Sequence, residues 1–282
     1  MIAELRPIEF NRVLPLYRAT GMSFPLISAV IQQKQRGQVF ADERDRPGSA
    51  LVVTDFGFMF WVGAEQNELL DEGLSQAFRS RDAFSPSYLL WYSPPAGWQR
   101  ELDAVGPERV KRRERVRFEF HAERAGWLKE VVQCPAGLEL RKLSSDLISK
   151  TERFGLKLDS RFWASAADFL DNGLGVCLMQ DGEVVSLCYT AAIADRLGEI
   201  DVVTQTEFRG SGLANCVAQQ LIRECLSSKI IPTWDCFLDN IGSRRLAEKL
   251  EFTPLYSYPF YSFNVPIEVG EGEPGETFKS IA

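Results

Sequence analysis

Asp201-Val202-Val203-Thr204-Gln205-Thr206-Glu207-Phe208-Arg209-Gly210-Ser211-Gly212-Leu213-Ala214 decides how the rest of this chain is read. Its first residues are rich in β-branched side chains and close a strand, its last residues open an amphipathic helix, and two glycines stand between them. Such a junction suits an anion. Gly210 and Gly212 carry no Cβ, so a phosphate can approach the backbone, and the first amides of the helix have no intrahelical acceptor. The helix dipole adds about 0.3–1 kcal/mol for a negative group at that end, and Arg209 can add a charge-assisted contact. A strand-to-helix connection also uses glycine for steric reasons alone, so the surrounding sequence has to decide.

Working outward, the spacing predicts a strand over 199–204 leading into a helix over 211–227, then a strand over 233–237, a helix over 242–250 and strands around Leu255 and Tyr261. Upstream, Asp181-Gly182 separates apolar runs over 175–180 and 184–192, a strong hairpin signal. Helices are predicted over 145–154 and 160–172, after a strand over 138–143. The pattern loosens before Cys134-Pro135-Ala136-Gly137, which places a domain boundary at 130/131. Residues 1–130 carry two helices between 9 and 36, strands over 50–54, 57–63, 88–92 and 114–120, and helices over 67–79 and 97–105. This is an α/β lobe whose content is compatible with a degenerate copy of the second half. Residues 131–268 form the second domain, and the acidic, Gly- and Pro-rich stretch 269–282 reads as a mobile tail.

Bulk properties exclude several function classes. A formal net charge of −7 argues against a broad nucleic-acid footprint, although the cluster from Arg109 to Arg117 is locally basic. Matched by Glu108 and Glu114, that cluster reads as a solvated face. No apolar run reaches the roughly 18–20 residues of a membrane span, and the N-terminus lacks the marks of a signal peptide, so a cytoplasmic protein is expected. Six cysteines show no CxxC spacing and read as reduced core residues. With His121 the only histidine, neither a His-rich metal site nor a Ser-His-Asp triad has its parts, and no metal is expected.

The turn resembles the cofactor motif of GNAT acyltransferases, a Gln or Arg, two residues, Gly, one residue, then Gly or Ala, matched by Arg209, Gly212 and Ala214. Downstream, Trp234 to Phe252 resembles the family's second signature, a strand, an Asn, and a helix ending in Lys-Leu-Gly-Phe. The resemblance covers about residues 136–265. It implies a C-terminal GNAT fold with a mixed, mostly antiparallel sheet flanked by helices, class α/β (α+β), and acetyl-CoA as the cofactor. It further implies that the strand before the turn is bulged and splays from its neighbour, leaving the backbone of Val202, Val203 and Thr204 to pair with pantetheine. Amides of Arg209, Gly210, Ser211, Gly212, Leu213 and Ala214 would hold the pyrophosphate, while Asn240 and Ser243 would flank the pantetheine. Asn240 is also readable as a plain helix cap.

Family chemistry is direct attack of an amine on the thioester, which needs a proton acceptor and a donor for the departing sulfur. Glu199 and Asp201, two apart on one strand, share a face and are the candidate acceptors, each also readable as an exposed strand carboxylate. Where many members carry an acidic tyrosine this chain has Ala247, so Tyr256, Tyr258 or Tyr261 would have to substitute, and all three also suit strand packing. Glu251 stands where the family has a helix-ending Gly. The first half has no Arg-x-x-Gly-x-Gly turn, and its aromatics Phe58, Phe60, Trp61, Trp91 and Tyr92 read as core or as walls of an acceptor pocket. The expected activity is acetyl transfer to a primary amine of a small molecule. Two alternatives stay open, an acyl-CoA-binding module without turnover and an aminoacyl-tRNA-dependent transferase, the latter opposed by the acidic charge.

Overall fold

Apolar residues recur with strand or helix period along most of the chain, and the computed structural model describes residues 2–79, 84–155, 158 and 161–265. In chain order the elements are β1 (Ala3–Glu4), α1 (Leu14–Ala19), α2 (Pro25–Ile31), β2 (Gly37–Ala41), β3 (Ser49–Thr54), β4 (Phe58–Gly63), α3 (Glu68–Phe78), β5 (Tyr88–Tyr92), α4 (Ala96–Val105) and β6 (Val110–Phe120). There follow β7 (Glu139–Lys142), α5 (Ser145–Ile148), α6 (Ala166–Asn172), β8 (Gly175–Gln180), β9 (Glu183–Ala194), β10 (Leu197–Thr204), α7 (Leu213–Ser227), β11 (Ile231–Phe237), α8 (Ile241–Lys249) and β12 (Phe252–Asn264). The expected tail, 269–282, lies outside the described residues.

Three sequence expectations change. β1 and β2 were not foreseen, because β2 follows a polar stretch and its first two residues are only half-buried. The helix expected over 160–172 is helical only in α6, where the Ser165 hydroxyl accepts from the Asp168 amide at 3.1 Å and so starts the helix late. The two closing strands are one continuous strand, β12.

The chain forms two compact units. One comprises Met1–Arg115 and takes the chain back at Tyr258, and the other is Val116–Ser257, whereas the sequence pattern put its divide at 130/131. In the first unit β1 to β4 pair antiparallel in order, β4 and β5 run parallel, and the end of β12 pairs antiparallel with β5 from Phe260↔Tyr92 to Asn264↔Tyr88. In the second, β7 to β10 pair antiparallel in order, β10 and β11 run parallel, and β6 lies beside β11. Both units therefore run through four antiparallel strands, a helix, a parallel strand and a second helix, the mixed α/β pattern expected from the sequence.

Each sheet buries an apolar face. In the second unit α7 presents Leu213, Cys216, Val217, Ala218, Leu221, Ile222 and Cys225, one helical stripe, to Val176, Leu178, Ile200, Val202, Trp234 and Cys236 on the strands. In the first, Trp61 and Trp91 enter a core with α3 and α4, while Phe58, Phe60 and Tyr92 fill the opposite face with Phe24, which stacks on Tyr92 at 4.4 Å. All five aromatics singled out in the first half are at most 4% exposed, which makes them core.

Two further expectations are corrected. Lys111, Arg112 and Arg113 are exposed, but Arg115 and Arg117 are 4% and 2% exposed, so the basic cluster is solvated only at its start. Arg115 lies over the Phe260 ring, 5.1 Å from its centroid. Arg117 Nη1 donates to both oxygens of Glu199, at 2.9 and 2.7 Å, and stands 3.6 Å from Asp235 Oδ2. Burial opposes its charge, but the two carboxylates outweigh that and raise its pKa, so the guanidinium stays protonated. Of the six cysteines, Cys177, Cys188, Cys225 and Cys236 are buried and outside any disulfide, but Cys134 and Cys216 form one with a Cα–Cα distance of 5.7 Å. They are 82 positions apart, and such a pairing leaves no spacing signature.

Alkylation of denatured, unreduced protein is expected to label four cysteines, and labelling of six by mass spectrometry would show the disulfide absent. Arg117→Met removes the buried cation that faces Glu199 and Asp235 and is expected to cost about 3–5 kcal/mol in urea denaturation, most of it recovered when Glu199→Met and Asp235→Leu are added. Glu251 holds φ 67° directly after α8, a left-handed conformation that disfavours a Cβ. Glu251→Gly is therefore expected to raise stability by about 1 kcal/mol in the same measurement.

Candidate functional site

The strand-turn-helix junction is built as follows. After β10 the chain makes a tight turn over Thr206–Phe208, and Gly210 and Gly212 take φ 81° and 86°. A Cβ at either glycine would meet nothing within 4 Å, so glycine is needed for the backbone angle and the space above it is open. Three hydrogen bonds brace the turn: Gln205 N to Val185 O at 3.0 Å, Ser211 Oγ to Phe208 O at 2.5 Å and Arg209 Nε to Thr204 O at 3.2 Å. Gly212 caps α7 without any side-chain cap, and the first amide bonded within the helix belongs to Cys216, whose N–H donates to Gly212 O at 3.2 Å. The amides of Leu213, Ala214 and Asn215 belong to the helix start, where the α-helix supplies no acceptor.

The equivalent junction of the first unit is built for the opposite outcome. There the Asn67 side chain accepts from the Leu70 amide and caps α3, whose first turn carries Glu68 and Asp71. The dipole end is occupied and screened by negative charge, so it repels a phosphate.

The second feature is an open strand edge. β10 and β11 share only the pairs Leu197↔Ile231, Gly198↔Pro232 and Glu199↔Thr233, whereas β10 stays paired with β9 through Thr204. The β9–β10 register shifts between Glu199 and Ile200, at a bulge. Val202, Val203 and Thr204 thus lie beyond the end of the β11 ladder. Val202 packs in the α7 core, and the Thr204 hydroxyl meets Ser186 Oγ at 2.8 Å.

Ile200 and Val202 point toward α7, which leaves Glu199 and Asp201 together on the other face. Their surroundings differ. Glu199 is held by Arg117 and receives a longer contact from Thr233 Oγ1 at 3.4 Å. Asp201 Oδ2 accepts from the Tyr189 hydroxyl at 2.8 Å. Asn240 caps α8, its Oδ1 accepting from the Ser243 amide at 3.1 Å, and Ser243 Oγ accepts from Trp234 Nε1 at 3.0 Å. Asn240 precedes, and Ser243 lies in the first turn of, the helix that follows the strand parting from β10.

The three tyrosines separate. Tyr256 is half-buried in the second unit, within electrostatic reach of Arg117. Tyr258 and Tyr261 belong to the first unit, where Tyr258 packs edge-on to Phe24 and the Tyr261 hydroxyl donates to Asp103 at 2.9 Å. Ala247 is fully buried in the α7 core.

Sequence reasoning missed Tyr189, Arg117 and Asp235, the polar residues that surround the two carboxylates. Tyr189 sat inside an apolar strand pattern and Arg117 inside a basic run. Only the strand register brings them together, and no local signal carries it.

Among the described residues no helix is long and apolar enough to cross a membrane. The GNAT acetyltransferase family model matches residues 19–261, beginning far ahead of the stretch in which motifs are legible. Over 235 residues, 83% of this chain and 88% of the relative, the sequence is 28% identical to an uncharacterized N-acetyltransferase of Bacillus subtilis strain 168, YdfB. A GCN5-related N-acetyltransferase-like protein from Streptococcus suis 89/1591 matches in structure with a TM-score of 0.72 at 24% identity, over 91% of this chain and 99% of that one. A tandem GNAT protein from the clavulanic acid biosynthesis pathway matches with a TM-score of 0.65 at 13% identity, over 96% and 100%. At these identities the structural matches speak for the fold, and the family match extends over most of both units: this chain belongs to the GNAT acetyltransferase family.

Proposed function

We propose that the protein transfers an acetyl group from acetyl-CoA to a primary amine of a small molecule, with the cofactor at the α7 junction of the second unit. The observation that carries this reading is an uncapped helix start beside two left-handed glycines with open space above them, next to a strand edge without a ladder partner. A pyrophosphate fits that donor set. The residues that would hold it are Arg209, Gly210, Ser211, Gly212, Leu213 and Ala214. Val202, Val203 and Thr204 would pair with the pantetheine arm, with Asn240 and Ser243 beside it.

Bound acetyl-CoA supplies an acyl carbon activated as a thioester. The protein's own part is to hold amine and thioester together, which converts an encounter in solution into a local reaction, and to move protons. An N–C bond forms as the C–S bond breaks, the amine proton passes to a carboxylate on the Glu199 and Asp201 face, and the departing sulfur takes up a proton. Tyr256 is our donor for that last step, supported by its place in the second unit and by the Asp103 hydrogen bond that commits Tyr261.

Calorimetric titration with acetyl-CoA tests the site. The wild type is expected to bind saturably, and the double variant Arg209→Glu, Gly212→Asp to lose that binding while keeping its fold. A folded wild type that fails to bind overturns the reading. Binding without turnover across a panel of amines would point instead to a binding module, the outcome that a buried Ala247 at the usual acid position favours.

A further inference from the structure

We propose that Tyr189 is a positioning residue that holds the Asp201 carboxylate as proton acceptor for the incoming amine, and that Glu199 serves the fold instead. This rests on the reading above and deepens it, since that reading leaves two carboxylates on one face.

Glu199 has both oxygens on one buried guanidinium nitrogen and belongs to the last pair of the β10–β11 ladder. A carboxylate so paired is strongly stabilised as the anion and is a poor base. Asp201 lies two residues further, past that last pair, on the edge where β10 leaves β11, and it is less buried than Glu199. Its partner Tyr189 is directly opposite on β9 in the register of the sheet. The Tyr189 ring is fully buried, with Phe162 6.2 Å away, so the phenol is fixed in place and its hydroxyl fixes the carboxylate.

The charged and titratable groups around this pair come from several elements. Cys188 and Tyr189 are on β9, Glu199 is on β10, Arg117 is on β6, Asp235 is on β11, and Arg161 precedes Phe162. Burial, then the negative Asp201, pushes the Tyr189 phenol well above its ordinary value, so it remains a donor and does not compete for the proton. In the step itself, an ammonium proton passes to Asp201 and on to water. The freed amine forms the amide bond, the C–S bond breaks, and a second nitrogen proton is balanced by the one that ends on the departing sulfur. No oxidant or metal is required.

The test uses full-length protein labelled with carbon-13 at the aspartate side-chain carboxyl. The Asp201 signal is the one that disappears in Asp201→Asn. In Tyr189→Phe its titration midpoint is expected to rise by about one pH unit, because a hydrogen bond to the charged form is lost. An unmoved midpoint overturns the positioning role. This titration needs neither donor nor acceptor, so it fails independently of the acetyl-CoA reading, which calorimetry on the same variant tests separately. The acid limb of kcat/KM for acetyl transfer to a simple alkylamine is expected to rise by the same shift. A limb that stays in place while the carboxyl moves overturns the proton-accepting role of Asp201.

Discussion

The second unit is organised around one buried guanidinium. Arg117 on β6 reaches Glu199 on β10 and Asp235 on β11, so a single charge ties three strands. Removing three charges from water is expensive and is tolerated only because they meet, Glu199 by hydrogen bonds and Asp235 as a close ion pair. Glu199 belongs to the last pair of the β10–β11 ladder. The ion pair stands where backbone pairing stops, and the strands can part beyond it without the sheet losing its register. What opens is an edge that leads directly to the uncapped start of α7.

The two units show how the same order of elements is used in two ways. In the first, a capped helix with an acidic first turn closes the junction, and Phe24, Phe58, Phe60, Tyr92 and Phe260 pack ring against ring over the strands. In the second, the junction is uncapped and the matching face carries Glu199, Asp201, Thr233 and Asp235. Stacked rings exclude water, whereas carboxylates and hydroxyls are the groups that the proposed reaction would use for proton transfer. The division of labour lies in these side chains, since the strand pairing is shared.

The legible parts of the fold were those with a local cause. Gly210 and Gly212 announce a turn because no other residue takes their backbone angles cheaply, and Asp181-Gly182 does form the hairpin between β8 and β9, with φ 51° and 81°. Asn240 reads as a cap from its place before a helix. Illegible parts had distant causes. Arg117 looks like its exposed neighbours until β6 is set beside β11, and Tyr189 looks like any strand aromatic until Asp201 is set opposite. Cys134 gains meaning only from Cys216, and the domain limits only from strands that leave their own half of the chain.

Those strands have a consequence for how the protein is made. The first unit comprises the first 115 residues, yet the part of β12 that completes its sheet comes only from Tyr258 onward. During synthesis from the N-terminus that unit emerges with the edge of β5 unpaired, and it waits for almost the whole of the second half. Loop closure over so long an interval is entropically costly and slow, so the first unit is not complete until the chain is nearly finished. A ribosome that stalls before β12 releases a chain with a ready-made sheet edge, and timely completion of translation becomes part of the folding mechanism itself.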